Sequence, residues 1–175
     1  MKRFFTILIV LLVTSSYAQV DVDSETAGME CTSVTVGKKA SADGSVMTSH
    51  TDDSGRSRTN MLVEKAADHP KDAMQELYKR VNCPADTPSM PRYCNQYTGS
   101  IPQVAHTYQF LNTAYPCMNE KQLAIGESTF GGRGELRSSE GKIDCPMLCK
   151  LMLQRCTTAR EAIRTAGELL KEYGW

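Results

Sequence analysis

The chain has 175 residues, of which 20 are basic and 20 are acidic, so its formal net charge at pH 7 is zero. A neutral chain offers no strong field for nucleic acid, and we expect no nucleic-acid partner. The length suffices for one domain built around a single hydrophobic core.

The first 18 residues have the pattern of a secretory signal. Lys2 and Arg3 precede the apolar run of residues 4–13, and small residues occupy positions 16 and 18, where a signal peptidase reads them. The run is too short to span a bilayer, and no later segment approaches the roughly 20 apolar residues of a membrane helix. We therefore predict cleavage after Ala18, a secreted or periplasmic location and no membrane anchor.

Residues 19–30, QVDVDSETAGME, are acidic and have no apolar face for a helix or a strand. This composition is typical of a short, flexible spacer. The pattern changes at Cys31, so we place a boundary between Glu30 and Cys31 and assign residues 31–175 to the folded domain.

Two β-branched, alternating runs open this domain. Residues 33–40 and 45–52 are separated by Asp43-Gly44, a typical turn pair, and predict a β-hairpin with Cys31 at its free end. Further on, the apolar spacing in residues 70–81 predicts a helix, and the Pro-rich residues 82–103 predict a long loop.

The second half is predicted to contain another hairpin and two helices. Residues 106–112 and 122–128 read as strands joined by a turn at 118–121. Asp144 is a candidate N-cap for a helix with Pro146 in its first turn, and Thr158 and Glu161 form a capping box for a helix that ends near Tyr173. The pattern predicts an α+β fold with an antiparallel sheet.

Cysteine parity indicates one unpaired thiol in an exported protein. There are seven cysteines, and with Cys31 set aside the other six can pair; we favour Cys83 with Cys94, although several of the six can equally be buried apolar residues. Cys145, Cys149 and Cys156 share one helical face without a nearby histidine, which favours a core stripe over a zinc site. We expect no metal and no cofactor.

Common catalytic motifs are absent from the sequence. Cys31 lacks the context of a papain-like nucleophile, and Gly126-Glu-Ser128 lacks the second glycine of a serine-hydrolase elbow. Glycines 131, 132 and 134 lack the spacing and the Lys-Ser/Thr ending of a phosphate-binding loop. The three histidines, at positions 50, 69 and 106, stand in no recognisable catalytic context.

An N-terminal nucleophile explains the boundary, the odd cysteine and the strand together. If cleavage before Cys31 makes it the first residue, its own α-amine, with a pKa of roughly 7.7 to 8.0, can take the thiol proton at neutral pH. Residues 19–30 are then a propeptide, removed by attack of the Cys31 thiol on the Glu30 carbonyl.

Three stretches carry a family resemblance: CTSVTVGKKASADGSVMTSHTDD from Cys31, YPCMNEKQLAIGESTFGGRGEL from Tyr115 and TAREAIRTAGELLKEYGW from Thr158. In this order they resemble the secreted and bacterial dipeptidases among the cysteine-type N-terminal nucleophile hydrolases, which are related to choloylglycine and penicillin V acylases. The resemblance implies an αββα sandwich and metal-free hydrolysis of dipeptides.

The same resemblance implies the site. Cys31 is the catalytic nucleophile, and Asp53 matches the carboxylate that orients its amine, with Asp52 as the alternative. Asn119 matches a residue whose backbone amide stabilises the oxyanion. His50 stands where related acylases often have arginine, so Asp52 and His50 are expected to contact substrate.

The resembled dipeptidases are longer chains, so we interpret residues 31–175 as an N-terminal part of the catalytic domain. We expect such a chain to associate with itself and to hydrolyse dipeptides slowly. Two alternatives stay open: an acylase acting on non-peptide amides, and an inactive disulfide-stapled binding domain with a free thiol.

Overall fold

The computed structural model describes residues 31–52, 61–83, 93–128, 135 and 138–175. Within these ranges the fold is α+β, with small antiparallel sheets followed by two helices, which confirms the predicted class at this level. The predicted signal (1–18) and spacer (19–30) lie outside the described residues. So does Asp53.

The strands of the described residues form four sheets, with orders β1-β2, β3-β8-β9, β4-β7 and β5-β6. Their bounds are β1 Ser33–Val36, β2 Met47–His50, β3 Leu62–Glu64, β4 Ala67–Asp68, β5 Met74–Asn82, β6 Tyr93–Pro102, β7 His106–Thr107, β8 Phe110–Asn112 and β9 Met118–Asn119. The helices are α1 Cys145–Arg155 and α2 Ala159–Tyr173.

The first predicted hairpin is confirmed. β1 and β2 pair antiparallel, with Ser33 opposite His50 and Val36 opposite Met47. In the turn, Oδ1 of Asp43 accepts a hydrogen bond from the Ser45 amide at 2.9 Å, and Gly44 has a φ of 75°, a conformation that glycine adopts without steric cost.

The predicted helix over 70–81 is wrong, because most of these residues belong to β5. The predicted loop over 82–103 is wrong for Tyr93–Pro102, which form β6. Both segments pair as the longest ladder of the described fold, from Met74 opposite Pro102 to Asn82 opposite Tyr93. The spacing of apolar residues near Leu77 fits a helix as well as a strand, and pairing with a distant partner decides between the two. Leu77 is fully buried against the helices.

A disulfide joins Cys83 to Cys94 at the end of this ladder, as predicted. The bridge closes the end of β5 onto the start of β6. The other cysteines of the described residues are free thiols: Cys31, Cys117, Cys145, Cys149 and Cys156. Four of the six candidates for pairing are therefore unpaired.

The second predicted hairpin is only partly correct. Residues 106–112 form two short strands, β7 and β8, and β8 pairs with both β3 and β9. The predicted strand over 122–128 is wrong, because Ala124 makes only an isolated bridge with Met118. The chain reverses directly after Asn119, where Gln122 takes a positive φ of 63° and the Leu123 amide is turned back toward Asn119.

Both helix caps are confirmed. The Asp144 side chain accepts from the Met147 amide at 3.0 Å, and the Thr158 hydroxyl accepts from the Glu161 amide at 3.3 Å. The Glu161 carboxylate binds the amide and hydroxyl of Thr157, and these bonds lower its pKa. Local signals at the two N-termini therefore suffice to place both helices.

Two clusters of buried side chains form the core between the helices and the sheets. One joins β5 and β6 to both helices through Leu77, Ile101, Ile143, Met147, Leu151 and Leu169. The other joins the segment from β8 to Leu123 with the end of α1 and the start of α2 through Phe110, Leu123, Leu153, Cys156 and Ala162. The predicted stripe of cysteines on α1 holds in part, since Cys149 and Cys156 are buried whereas Cys145 is half-buried.

Several apolar side chains on the strands are more than half exposed: Val34, Met47, Leu62, Val63, Met74 and Tyr97. Neither α1 nor α2, the helices of the described residues, is long and apolar enough to cross a membrane.

Candidate active site

Cys31 lies at the open end of the first hairpin, one step beyond the paired strands. The Thr32 amide donates to Thr51 Oγ1 at 3.0 Å, and the Thr51 amide donates to the Thr32 carbonyl at 2.9 Å. These bonds continue the antiparallel register of β1 and β2, in which the next residue opposite Cys31 is Asp52. The hairpin thus brings the thiol and a carboxylate to the same end.

One face of the hairpin is polar and lines a cavity of about 610 Å³. Because side chains alternate along a strand, Cys31, Ser33 and Thr35 share this face. The opposite wall comes from the segment between β8 and Gly126. Lining residues are Ser33, Thr35, Thr48, Ser49, His50, Asp52, Leu111, Thr113, Ala114, Tyr115, Cys117, Met118, Ala124, Ile125 and Gly126.

Glu127 brings this second segment to the thiol. Its Oε1 accepts a hydrogen bond from Cys31 Sγ at 3.5 Å, across 96 positions of sequence. A ring nitrogen of His50, the Cys31 sulfur and a Glu127 oxygen all lie within 4.8 Å of one another, and all three residues are half-buried. A thiol, an imidazole and a carboxylate therefore converge at the edge of the cavity.

The His50 ring is held in a fixed orientation. Its Nδ1 is hydrogen-bonded to Ser33 Oγ at 2.9 Å, and Gly126 packs against the ring so closely that a Cβ there would lie 2.9 Å from Nδ1. Its Nε2 is buried and has no hydrogen-bond partner among the described residues. This buried nitrogen is therefore available to a ligand.

Tyr115 is a neutral hydrogen-bonding group in the cavity wall. Burial, and then the nearby Glu127 carboxylate, raise the pKa of its hydroxyl to about 12, and Asp52 adds to the effect. The Arg80 guanidinium lies 5.0 Å from the Tyr115 ring, acts in the opposite direction and also donates to the Ala114 carbonyl. The phenol therefore keeps its proton through the neutral range and can donate it to a bound carbonyl.

The four other free thiols have surroundings less suited to a nucleophile. A hydrogen bond with Cys145 lowers the pKa of Cys149, but the Cys149 side chain is buried. Burial raises the pKa of Cys156, and a hydrogen bond to Cys149 followed by burial raises that of Cys145. Cys117 donates to the Leu111 carbonyl at 3.7 Å. Cys31 differs from these thiols because it lies at a strand terminus between His50 and Glu127.

Asn119 does not meet the other predicted site residues at the thiol. It is buried under the cavity, where its side-chain amide donates to the carbonyls of Leu153 and Cys156, both at 2.8 Å. Its Oδ1 accepts from the amides of Lys121 and Leu123, and its own backbone amide donates to the Leu123 carbonyl at 3.0 Å. In this arrangement Asn119 ties the turn to the end of α1.

Of the predicted site residues, Cys31 and His50 lie together, Asp52 lines the same cavity as His50, and Asp53 lies outside the described residues. Glu127 and Tyr115 are the residues that sequence reasoning missed. Both lie within YPCMNEKQLAIGE, which is part of a stretch that carries the family resemblance, so the resemblance was the signal that could have indicated them. The contact between Glu127 and Cys31 depends on tertiary structure, which the spacing of residues in the sequence does not predict.

Comparison with protein families identifies the chain. The family model described as Peptidase family C69 matches residues 30–175. The chain therefore belongs to peptidase family C69, a family of cysteine peptidases, which agrees with the resemblance drawn from the sequence. A search of curated proteins and a search of solved structures each returned no match.

Proposed function

We propose that this chain is a cysteine-type dipeptidase that uses an N-terminal nucleophile, Cys31. The observation that carries the proposal is the placement of the Cys31 thiol at the end of the first hairpin, 3.5 Å from Glu127 Oε1 and beside the cavity. The family match begins at residue 30, next to the bond that must be cut to expose Cys31 as the first residue.

The same thiol serves maturation and catalysis. In maturation, Cys31 Sγ attacks the Glu30 carbonyl carbon, the Glu30–Cys31 peptide bond breaks, and the Cys31 nitrogen takes up a proton to become the α-amine. Water then hydrolyses the resulting thioester, which releases residues 19–30 with a free carboxylate at Glu30 and restores the Cys31 thiol. The cut leaves an amine on the residue that bears the nucleophile, with a pKa of roughly 7.7 to 8.0.

In catalysis, the free α-amine accepts the proton of the Cys31 thiol as sulfur attacks the scissile carbonyl of a dipeptide. The leaving amine of the second residue takes this proton, and a thioester to the first residue remains. Water hydrolyses the thioester, releasing the first amino acid and restoring the thiol. Tyr115, as a neutral phenol in the cavity wall, is a candidate donor to the oxyanion.

Carboxylates around the thiol suit a substrate with a free amino terminus. Asp52 is the cross-strand neighbour of Cys31 and lines the cavity, so we propose that it binds either the Cys31 amine or the ammonium group of the dipeptide. Asp53 keeps the same proposed role by resemblance. His50, fixed by Ser33 and Gly126, forms the wall that contacts substrate.

For Asn119, the observed hydrogen bonds favour a positioning role over the proposed oxyanion role, because its backbone amide is already paired with Leu123. We propose that Asn119 holds the turn from which Gly126 and Glu127 reach the thiol. The αββα sandwich remains part of the proposal, supported by the family match and by the small antiparallel sheets backed by helices.

Export and self-association belong to the same proposal. The Cys83–Cys94 disulfide supports an oxidising compartment, as does the signal-like sequence of residues 1–18. The exposed apolar side chains on the sheets, such as Val34 and Leu62, support association of the chain with itself.

The proposal is tested by intact mass and a substrate panel. The purified chain should have lost residues 19–30, and it should cleave dipeptides with a free amino terminus in preference to N-acetylated dipeptides and to acyl amides such as penicillin V. Preference for the acyl amides would assign the site to an acylase instead. A chain that retains residue 30 and cleaves nothing would support a binding domain.

A further inference from the structure

We propose that Cys31, His50 and Glu127 form a binding site for a thiophilic divalent cation, with Zn²⁺ as the physiological candidate, and that occupancy of the site blocks the Cys31 thiol. The three side chains offer a sulfur, a nitrogen and an oxygen within 4.8 Å of one another. Ligand atoms around a tetrahedral zinc ion lie about 3.5 Å apart, so a separation of 4.8 Å would have to shrink by about 1.3 Å. The Cys31–Glu127 pair is already 3.5 Å apart.

The surroundings of His50 are those of a metal ligand. In the tautomer in which Nδ1 donates to the Ser33 hydroxyl, Nε2 carries a lone pair, and this atom is buried with no hydrogen-bond partner among the described residues. Metal-binding histidines usually donate their other ring N–H to a neighbouring oxygen, which fixes the ring. Ser33 supplies that oxygen. Gly126 packs so closely against the ring that a side chain at this position would collide with it.

The ligand chemistry selects the cation. A thiolate and an imidazole favour zinc and similar ions over Mg²⁺ and Ca²⁺, which prefer oxygen ligands only. Binding converts the Cys31 thiol to a metal-bound thiolate and releases one proton to solvent, with no other bond made or broken. Coordination draws electron density from the sulfur and hinders its approach to a carbonyl, so the metal-bound thiolate is a much weaker nucleophile than the free one.

A fourth ligand follows if the proposed function holds, since this step rests on it. After cleavage before Cys31, the α-amine and the thiolate of the same residue can close a five-membered chelate ring on the ion. The processed chain should then bind the cation at least tenfold more tightly than the unprocessed chain. Maturation would in this way create both the active nucleophile and its inhibitory site.

Co²⁺ is the probe for the test, because it replaces Zn²⁺ and gives a near-ultraviolet charge-transfer band when a thiolate binds it. Titration of the full chain with the Cys83–Cys94 bridge intact and Cys31 as the free thiol should saturate at one Co²⁺ per chain, and Zn²⁺ but not Mg²⁺ should remove the band. Cys31→Ser should abolish the band, whereas His50→Gln and Glu127→Gln should weaken affinity at least tenfold. His106→Gln and Cys145→Ser are the matched controls and should keep both band and affinity.

The proposal is overturned if no saturable band appears, if the band survives Cys31→Ser, or if Cys145→Ser removes it. Circular dichroism of each variant separates loss of a ligand from loss of the fold. The cation measurement uses no substrate, so binding without peptidase activity would keep the site and reject the proposed function. Activity that Zn²⁺ leaves unchanged would reject the inhibitory role.

Discussion

Sγ of Cys31 lies 3.5 Å from Oε1 of Glu127, although the two residues are 96 positions apart in the sequence. This contact ties the free end of the first hairpin to the segment that follows β9. It also places the thiol next to the wall of the cavity, since Gly126 of that wall is in contact with His50. The chemistry of the site therefore depends on tertiary structure that joins the beginning of the domain to its middle.

The first prediction concerns this thiol. Cys31→Ala should block removal of residues 19–30 and all dipeptide hydrolysis, because one sulfur serves both steps; Cys31→Ser should process slowly, since a hydroxyl is a weaker nucleophile. Intact mass and a dipeptide assay measure the two steps. Cys145→Ser, which alters another half-buried thiol, should retain both, and an active Cys31→Ala protein would exclude the mechanism.

Inhibitor sensitivity provides the second prediction. Alkylation of the free thiols should stop hydrolysis, whereas a chelator should leave the rate unchanged or raise it, because the proposed reaction uses a thiolate and an amine and the proposed cation is inhibitory. Protection of Cys31 from alkylation by a dipeptide, followed by peptide mass mapping, assigns the reactive thiol. Loss of activity with the chelator alone would indicate a metallopeptidase.

Gly126→Ala is the third prediction and tests the packing of His50. The new Cβ would lie 2.9 Å from Nδ1 and 3.0 Å from Cγ of His50, so the ring must move and its bond to Ser33 must lengthen. We expect kcat/KM to fall about 10- to 100-fold, mostly through KM, because His50 is proposed to contact substrate.

Gly167→Ala is the matched control for this variant. Gly167 lies on the exposed side of α2 with nothing within 4 Å of its Cβ position, and alanine there should stabilise the helix by about 0.5–1 kcal/mol without changing kcat/KM. Equal kinetics for the Gly126 and Gly167 variants would show that the position of His50 is irrelevant to hydrolysis.

The fold could be predicted from sequence where its signals are local. Asp144 and Thr158 mark their helices because an N-cap acts within one turn, and the Asp43-Gly44 turn sets a register that places His50 opposite Ser33. β5 could not be predicted, because the spacing around Leu77 suits a helix equally well and its partner strand, β6, lies within the Pro-rich residues that predict a loop. Glu127 was missed for the same reason, because its contact with Cys31 joins residues that are far apart in the sequence.

The fourth prediction is a dependence on alkaline pH. The pKa of Tyr115 is raised from about 10 in the unfolded chain to about 12 in the fold, so the fold favours the protonated phenol. Its contribution to stability is complete below pH 10 and is lost as pH rises through 12. The free energy of unfolding should therefore fall more steeply between these values for the native chain than for Tyr115→Phe, as measured by urea denaturation. Parallel pH profiles for the native chain and the variant would contradict the raised pKa of Tyr115.

Asn119→Ala is the fifth prediction. The variant loses four hydrogen bonds of a buried side chain and leaves the carbonyls of Leu153 and Cys156 without that donor, so we expect a loss of about 2–4 kcal/mol in the free energy of unfolding. Asn112→Ala is the control, because Asn112 is half-buried and its amide makes one bond, to Glu64 at 3.2 Å. A cost no larger than that of the control would reject the positioning role.

The Cys83–Cys94 bridge and the Cys31 thiol respond to a reducing agent in opposite ways. Reductant protects the Cys31 thiol from oxidation, whereas it opens the bridge. The ladder of β5 and β6 runs through nine residue pairs up to Asn82 and Tyr93, so the two strands remain hydrogen-bonded when the bridge is open. Assay buffers that contain a thiol should therefore preserve the ladder of β5 and β6 and the Cys31 nucleophile at once.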